Sequence, residues 1–253
     1  MTHDEIVKQL RSLESRKQVK IIYACESGSR AWGFPSPDSD YDIRFLYVKQ
    51  IKDYLRVFPG KDVIDLPIEA ESDMSGWDVR KALALLRKSN ATLFEWLSSP
   101  IVYFDQQAAI QPVKDLMNDS FLSGTVCHHY ISLAKKKLSE IKLYDEVKLK
   151  SYFYALRALL CAQFIEKNES APPVCIDRLI EQYLPKNYQS EYNALLQRKM
   201  SCDESYRELR IKWLDRYLDD LLFALSERIP VNQKRKAVEK YDQAFQYCLE
   251  YIA

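Results

Sequence analysis

One stretch constrains this chain more than any other: Tyr23 to Val48, YACESGSRAWGFPSPDSDYDIRFLYV. An apolar run rich in β-branched residues leads into Gly28-Ser29. After ten intervening residues comes Asp40-Tyr41-Asp42, heading a second apolar run. Side chains alternate along a strand, so Asp40 and Asp42 project side by side from one face. Two adjacent carboxylates repel each other and are costly to keep ionised. A hard divalent cation removes that cost by taking their oxygens. Two ions held in this way grip a triphosphate and activate a nucleophile for in-line displacement. Gly28 allows close approach of the backbone to a ligand. A helical turn opening near Ser29 aims free N–H groups at phosphate oxygens. Arg30 either adds a phosphate contact or points to solvent, and Gly33 opens the turn towards the Asp strand. Taken alone, DSDYD reads as a solvated acidic turn. Joined to the upstream strand and Gly-Ser turn, it reads as a metal and nucleotide site.

Glycine supply sharpens this. Only 5 of 253 residues are Gly, and two of them share this one loop. Phosphate loops of the GxGxxG or GxxxxGK[ST] type are absent. With 37 basic and 36 acidic residues the net charge is +1, which excludes a globally basic nucleic-acid binder but not a local patch. The six cysteines show no CxxC pair, so zinc and redox spacings are missing and reduced packing residues are expected. The first twenty residues hold no apolar stretch of signal-peptide length, and no run approaches the ~18 residues of a membrane span. A cytoplasmic protein with no membrane partner is the expectation.

Periodicity divides the chain at about residue 110. Before it, strands and helices mix. Residues 5–15 predict an amphipathic helix with Ile6, Leu10 and Leu13 on one face. Lys17–Cys25 and Tyr41–Val48 predict strands, with a turn-rich loop over Glu26–Ser39. A short helix over 50–58 and a turn at Pro59-Gly60 follow. A third strand region spans Val63–Trp77, broken by Pro67, and Asp78–Leu97 has helical spacing. Beyond it, Val126–Ile141, Leu149–Glu166, Asp177–Tyr183, Ser190–Met200, Ser205–Leu225 and Pro230–Tyr251 read as helices. The expected fold is α+β: a domain over 1–110 with a mixed sheet and flanking helices, then an all-helical domain over 111–253.

The block GSRAWGFPSPDSDYDIR resembles the signature of the DNA polymerase β-like nucleotidyltransferase superfamily, Gly-Ser followed by Asp-x-Asp on a strand. It is closer still to a bacterial and phage branch described as predicted nucleotidyltransferases of the YcgL type, or as RNA-repair-pathway polymerase β family proteins. SGWDVRKALALLRKSNATLFEWLSSPIVY and KSYFYALRALLCAQFI look like further shared blocks, so the resemblance spans roughly residues 20–165, with weaker similarity beyond. It implies an enzyme that moves an NMP from an NTP to an acceptor hydroxyl and releases pyrophosphate. Two Mg²⁺ or Mn²⁺ ions would be held by Asp40, Asp42 and a third carboxylate. The acceptor it implies is RNA, in end repair or 3′-end addition. Protein AMPylation is the second enzymatic reading, with a protein acceptor. A non-catalytic interaction protein that keeps the fold is the contrasting one.

Two positions compete for the third carboxylate. Asp73 lies in the third strand region and best matches the role of metal ligand and proton acceptor. Asp78 opens the following helix, where a first-turn acid has an ordinary structural reason. Glu69 and Glu71 are lesser alternatives. In Lys148–Arg157, Lys150, Tyr154 and Arg157 share a helix face, and Arg among aromatics offers a fork to phosphate. Related nucleotidyltransferases carry basic residues on a helix after the catalytic domain, which makes Lys150 and Arg157 candidates for the triphosphate. His128-His129 point about 100° apart on a helix, so they read as structural or surface residues. Aromatic helices near the C-terminus read as bundle core or as an oligomer interface.

Overall fold

The computed structural model describes residues 1–66, 72–232 and 238–251. The chain forms two compact units: Met1–Ala31, Asp40–Ser120 and Arg235–Ala253 in the first, Trp32–Ser39 and Phe121–Lys234 in the second. These units differ from a single cut at residue 110, because neither is contiguous in sequence. A C-terminal helix returns to the first unit, and a short piece of the Gly-Ser to Asp loop joins the helices of the second.

The first unit is built on a five-stranded sheet of order β3-β4-β2-β1-β5. Its elements begin with α1 (His3–Lys17), β1 (Val19–Glu26), α2 (Gly28–Trp32), β2 (Tyr41–Lys49), α3 (Ile51–Tyr54), β3 (Val63–Asp65) and β4 (Ser72–Asp78). They continue with α4 (Val79–Arg87), α5 (Ala91–Leu97), β5 (Val102–Asp105), α6 (Gln107–Asp115) and α7 (Met117–Ser120). The strand β2 runs antiparallel to β1 and parallel to β4, so the sheet is mixed. Central β1 is buried from Ile21 to Glu26, as expected for a continuous apolar run flanked by strands on both sides.

A capping box between Thr2 and Glu5 starts α1. The helix lays Ile6, Leu10 and Leu13 on Ile21, Ile43, Phe45, Tyr47 and Met74. Burying each such aliphatic side chain is worth about 1.5–3 kcal/mol. The core face of β2 is therefore Ile43, Phe45 and Tyr47, which leaves Asp42 and Arg44 on the opposite face.

Within the sheet, its strands and the helices that follow them, the structure departs from the sequence reading at several points. The single helix expected over Asp78–Leu97 is two helices, because Ser89 adopts a left-handed φ of 58° and Asn90 caps α5 by accepting from Leu93 N at 3.0 Å. The third strand region is two strands, β3 and β4; Pro67, Glu69 and Glu71 lie outside the described residues. A fifth strand, β5, pairs with β1. It is only four residues long and carries no strong alternation.

The second unit holds α8 (Ser123–Lys142), β6 (Glu146–Lys148), α9 (Leu149–Asn168), α10 (Ile176–Tyr183), α11 (Gln189–Ser201), β7 (Arg207–Leu209) and α12 (Lys212–Ser226). The helices α8 and α9 pack along each other, and α10 and α12 pack on α9. The helix expected from Ser205 starts at Lys212 instead. The preceding residues form β7, paired with β6, and Tyr152 Oη accepts from Ile211 N at 3.1 Å where the helix begins. Trp32–Ser39 is folded into this unit: Trp32 meets Tyr154 edge-on at 5.0 Å and fully buried Phe34 packs on Phe153. Gly33, at φ +93°, has Cys175 Sγ 3.0 Å from where a Cβ would sit.

The last helix, α13 (Glu239–Glu250), belongs to the first unit. Buried Tyr241 shares a 2.7 Å hydrogen bond with Ser120, and Cys248 Sγ donates to the Ala109 carbonyl. No disulfide forms among the six cysteines. Among the described residues, no helix is long and apolar enough to cross a membrane.

Candidate active site

Parallel pairing of β2 with β4 sets Asp42 directly opposite Asp73. Like charges opposite one another destabilise a sheet. Here one cation answers both. Arg44 Nη2 donates to Asp42 Oδ1 at 2.8 Å and to Asp73 Oδ2 at 2.8 Å. Its Nη1 donates to the Asp73 carbonyl at 2.9 Å. Arg44 stands two residues after Asp42 and so shares its face. The two carboxylates are 30% and 37% exposed while the arginine is 16% exposed, so the acids reach the surface and the cation lies beneath.

The floor of the site is the end of β1 and the Gly-Ser turn. Gly28 has φ +62°, and a Cβ there would lie 2.0 Å from Asp42 Oδ2. The close approach that demands glycine is thus to the Asp42 carboxylate itself, where the sequence pointed to a ligand. Ser27 N donates to the Asp42 carbonyl at 2.8 Å, and Asp42 N donates to Glu26 Oε1 at 2.9 Å. Glu26 is fully buried, and Tyr103 Oη donates to its other oxygen. Burial pushes the Glu26 carboxyl above its ordinary pKa, against the hydrogen bonds from Tyr103 and Asp42 N. Helix α2 does open at the Gly-Ser turn, and Ser29 is buried in it. Arg30 stacks over the Tyr41 ring at 3.9 Å and donates through Nε to the Asp40 carbonyl at 3.3 Å.

The remaining candidates have the following surroundings. Asp40 is exposed, one residue before β2 begins. Asp78 pairs with Tyr47, five residues along the ladder from the Asp42–Asp73 pair. It is fully buried, caps α4 by accepting from Arg80 N at 2.8 Å, and binds Lys49 at 3.2 Å. Those contacts give it the structural role of a helix cap. Lys150 pairs with Glu204 at 2.6 Å inside the second unit. Arg157 is 4% exposed there, donates to the Val174 carbonyl at 3.1 Å and lies over Trp32 at 4.4 Å. A cavity of about 550 Å³ lined by Lys17, Tyr47, Arg56 and Lys61 opens at the other end of β2 and is lined by none of the candidate site residues.

Asp42 and Asp73 supply the hard oxygen donors a divalent cation takes, and they already converge on one positive nitrogen. The donor set therefore fits such an ion. Among the described residues, no group of three or more His, Cys, Asp or Glu side chains is arranged to hold one. Sequence reasoning passed over Arg44, Glu26 and Tyr103. The alternation rule that joined Asp40 to Asp42 reaches Arg44 as well; Glu26 and Tyr103 carry no sequence signal, because their roles come from packing.

A mixed sheet with a Gly-Ser turn set beneath carboxylates on neighbouring strands is the arrangement that the resemblance to polymerase β-like nucleotidyltransferases implies. A family model described as "RNA repair pathway DNA polymerase beta family" matches residues 2–247, and the chain belongs to that family. Protein YcgL of Bacillus subtilis (strain 168) is 39% identical over 238 residues, covering 94% of this chain and 90% of that protein. The crystal structure of a nucleotidyltransferase-like protein from Exiguobacterium sibiricum 255-15 aligns over 98% of this chain and 78% of that one, at 13% identity and a TM-score of 0.33.

Proposed function

We propose that the chain transfers an NMP from an NTP to a hydroxyl of RNA, releasing pyrophosphate. The observation that carries this is the in-register Asp42–Asp73 pair converging on a single cation position. The acceptor oxygen bonds to the α-phosphorus, the bond from that phosphorus to the β-bridging oxygen breaks, and the acceptor proton passes to Asp73. Divalent cations of the Mg²⁺ or Mn²⁺ type, held by Asp42 and Asp73, would supply charge neutralisation for the phosphates and the attacking oxygen. Gly28 keeps Asp42 seated at the turn. The α2 turn, with Ser29 and Arg30, faces the phosphates. The unit built on the sheet carries the chemistry, and the helical unit handles the acceptor.

The test is incubation with each α-labelled NTP, Mg²⁺ and total RNA or lysate protein. Label on RNA that is removed by RNase and untouched by protease is the expected result. Protease-sensitive label would move the acceptor to protein, and absence of label in every combination would contradict nucleotidyl transfer.

A further inference from the structure

We infer that Arg44 is a resident counter-cation that keeps the Asp42–Asp73 pair weak for metal until a triphosphate arrives. The inference rests on the nucleotidyltransferase reading of that pair and adds an order of binding to it. Two carboxylates facing each other across a parallel ladder carry two negative charges. The guanidinium satisfies one oxygen of each, Asp42 Oδ1 and Asp73 Oδ2, both at 2.8 Å from the same nitrogen. It is anchored further by Nη1 on the carbonyls of Asp73 and Ile43, at 2.9 and 3.3 Å. Four hydrogen bonds and 16% exposure make this a built contact rather than a passing surface ion pair.

A divalent ion approaching the nucleotide-free protein meets a net charge of minus one, two carboxylates and the guanidinium, instead of minus two. Such an ion is repelled by the arginine over the same short distance at which the acids attract it. A triphosphate adds negative charge on the open side and reverses that balance. Metal then enters together with the nucleotide. Arg44 is thereby a positioning residue: it fixes both ligand side chains and sets when they take an ion.

Two effects of removing the arginine oppose each other. Losing the fork loosens the carboxylates, which weakens metal binding and slows turnover. Losing the charge strengthens metal binding. A full charge a few ångströms from a divalent ion outweighs side-chain ordering, so affinity rises while turnover falls. A purely structural role would lower both.

Mn²⁺ binding, followed by loss of the free-ion EPR signal, tests this without reference to activity. In nucleotide-free protein, Arg44→Gln is expected to bind Mn²⁺ roughly tenfold tighter than wild type or more. A non-hydrolysable NTP analogue should shrink that gap. Arg44→Lys keeps the charge and should bind as weakly as wild type, which preserves the test should Arg44→Gln fail to fold. Equal or weaker Mn²⁺ binding by Arg44→Gln, or tight binding by Arg44→Lys, overturns the role of Arg44 and leaves nucleotidyl transfer standing. No Mn²⁺ binding by either protein, with or without the analogue, overturns both.

Discussion

The two compact units treat their charged residues in opposite ways. In the sheet unit, Asp42 and Asp73 are partly exposed, while the groups that hold them, Arg44 and Glu26, lie deeper. In the helical unit the basic candidates are engaged by local partners, Arg157 buried and Lys150 about as exposed as Asp42. Lys150 is engaged with Glu204, and buried Arg157 with the Val174 carbonyl and the Trp32 ring. Burial alone would raise the Glu204 carboxyl; hydrogen bonds from Lys150 and Ser39 outweigh it and hold the group below its ordinary range. The same segment is tied down by Ser39, which donates to Glu204 at 2.9 Å, and by Glu204 N, which donates to Asp38 at 2.8 Å. The lesson is that a charged residue's type says little about its role. What separates ligand candidates from structural charges is whether supporting groups lie beneath the charge or consume it.

The largest test of that contrast sets two acids of one strand against each other. Asp73→Asn should lower turnover by roughly 10²-fold or more while leaving the melting temperature close to wild type. Asp78→Ala should act through stability. It removes the cap of α4 and leaves half-buried Lys49 without its carboxylate, at a cost of about 3 kcal/mol in denaturant unfolding. Full turnover in Asp73→Asn, together with loss of chemistry in a stable Asp78→Ala, would reverse the assignment.

Next comes the turn. Gly28→Val places a β-branched residue at φ +62° and a methine 2.0 Å from Asp42 Oδ2. Strain of that kind costs about 1–3 kcal/mol. Nucleotide affinity should disappear, read by equilibrium binding of a fluorescent NTP analogue, while far-UV circular dichroism shows the helical unit still folded. Unchanged affinity would detach the turn from the site.

The smallest effect is a pH dependence. The Glu26 carboxyl is raised from 4.5, so its contribution to stability is complete below 4.5 and is lost as pH rises through the folded value. Glu26→Gln removes that titration and keeps an acceptor for Asp42 N. Unfolding free energies measured across pH should show wild type losing stability relative to the variant as pH rises above 4.5. A constant difference would mean that Glu26 does not titrate in this range.

How much of this was legible beforehand follows from the range of the forces involved. Strand alternation is local, so Tyr41–Val48 read correctly as a strand, whereas Asp40, which the same rule set beside Asp42, lies one residue before β2 begins. The three buried residues of α1 were equally plain from their spacing. Pairing register is not local. That Asp73 rather than Asp78 stands beside Asp42 depends on a parallel ladder between strands separated in sequence by two further elements. The break at Ser89 was hidden because apolar periodicity resumes in α5 almost in phase. On α9, helical spacing put Lys150 and Arg157 near one face, but it carried no information about Glu204, which arrives from beyond α11, or about Val174, which returns from the loop after α9.

The most direct test of the central claim is label transfer by Asp42→Asn beside wild type, from α-labelled NTP to RNA, with melting curves on both proteins. Asp42 is a ligand candidate whose side chain also seats against Gly28, so the substitution removes charge and keeps shape. The account predicts transfer by wild type, and a loss of about 10³-fold or more in a variant that melts within a few degrees of it. Full transfer by Asp42→Asn would contradict it.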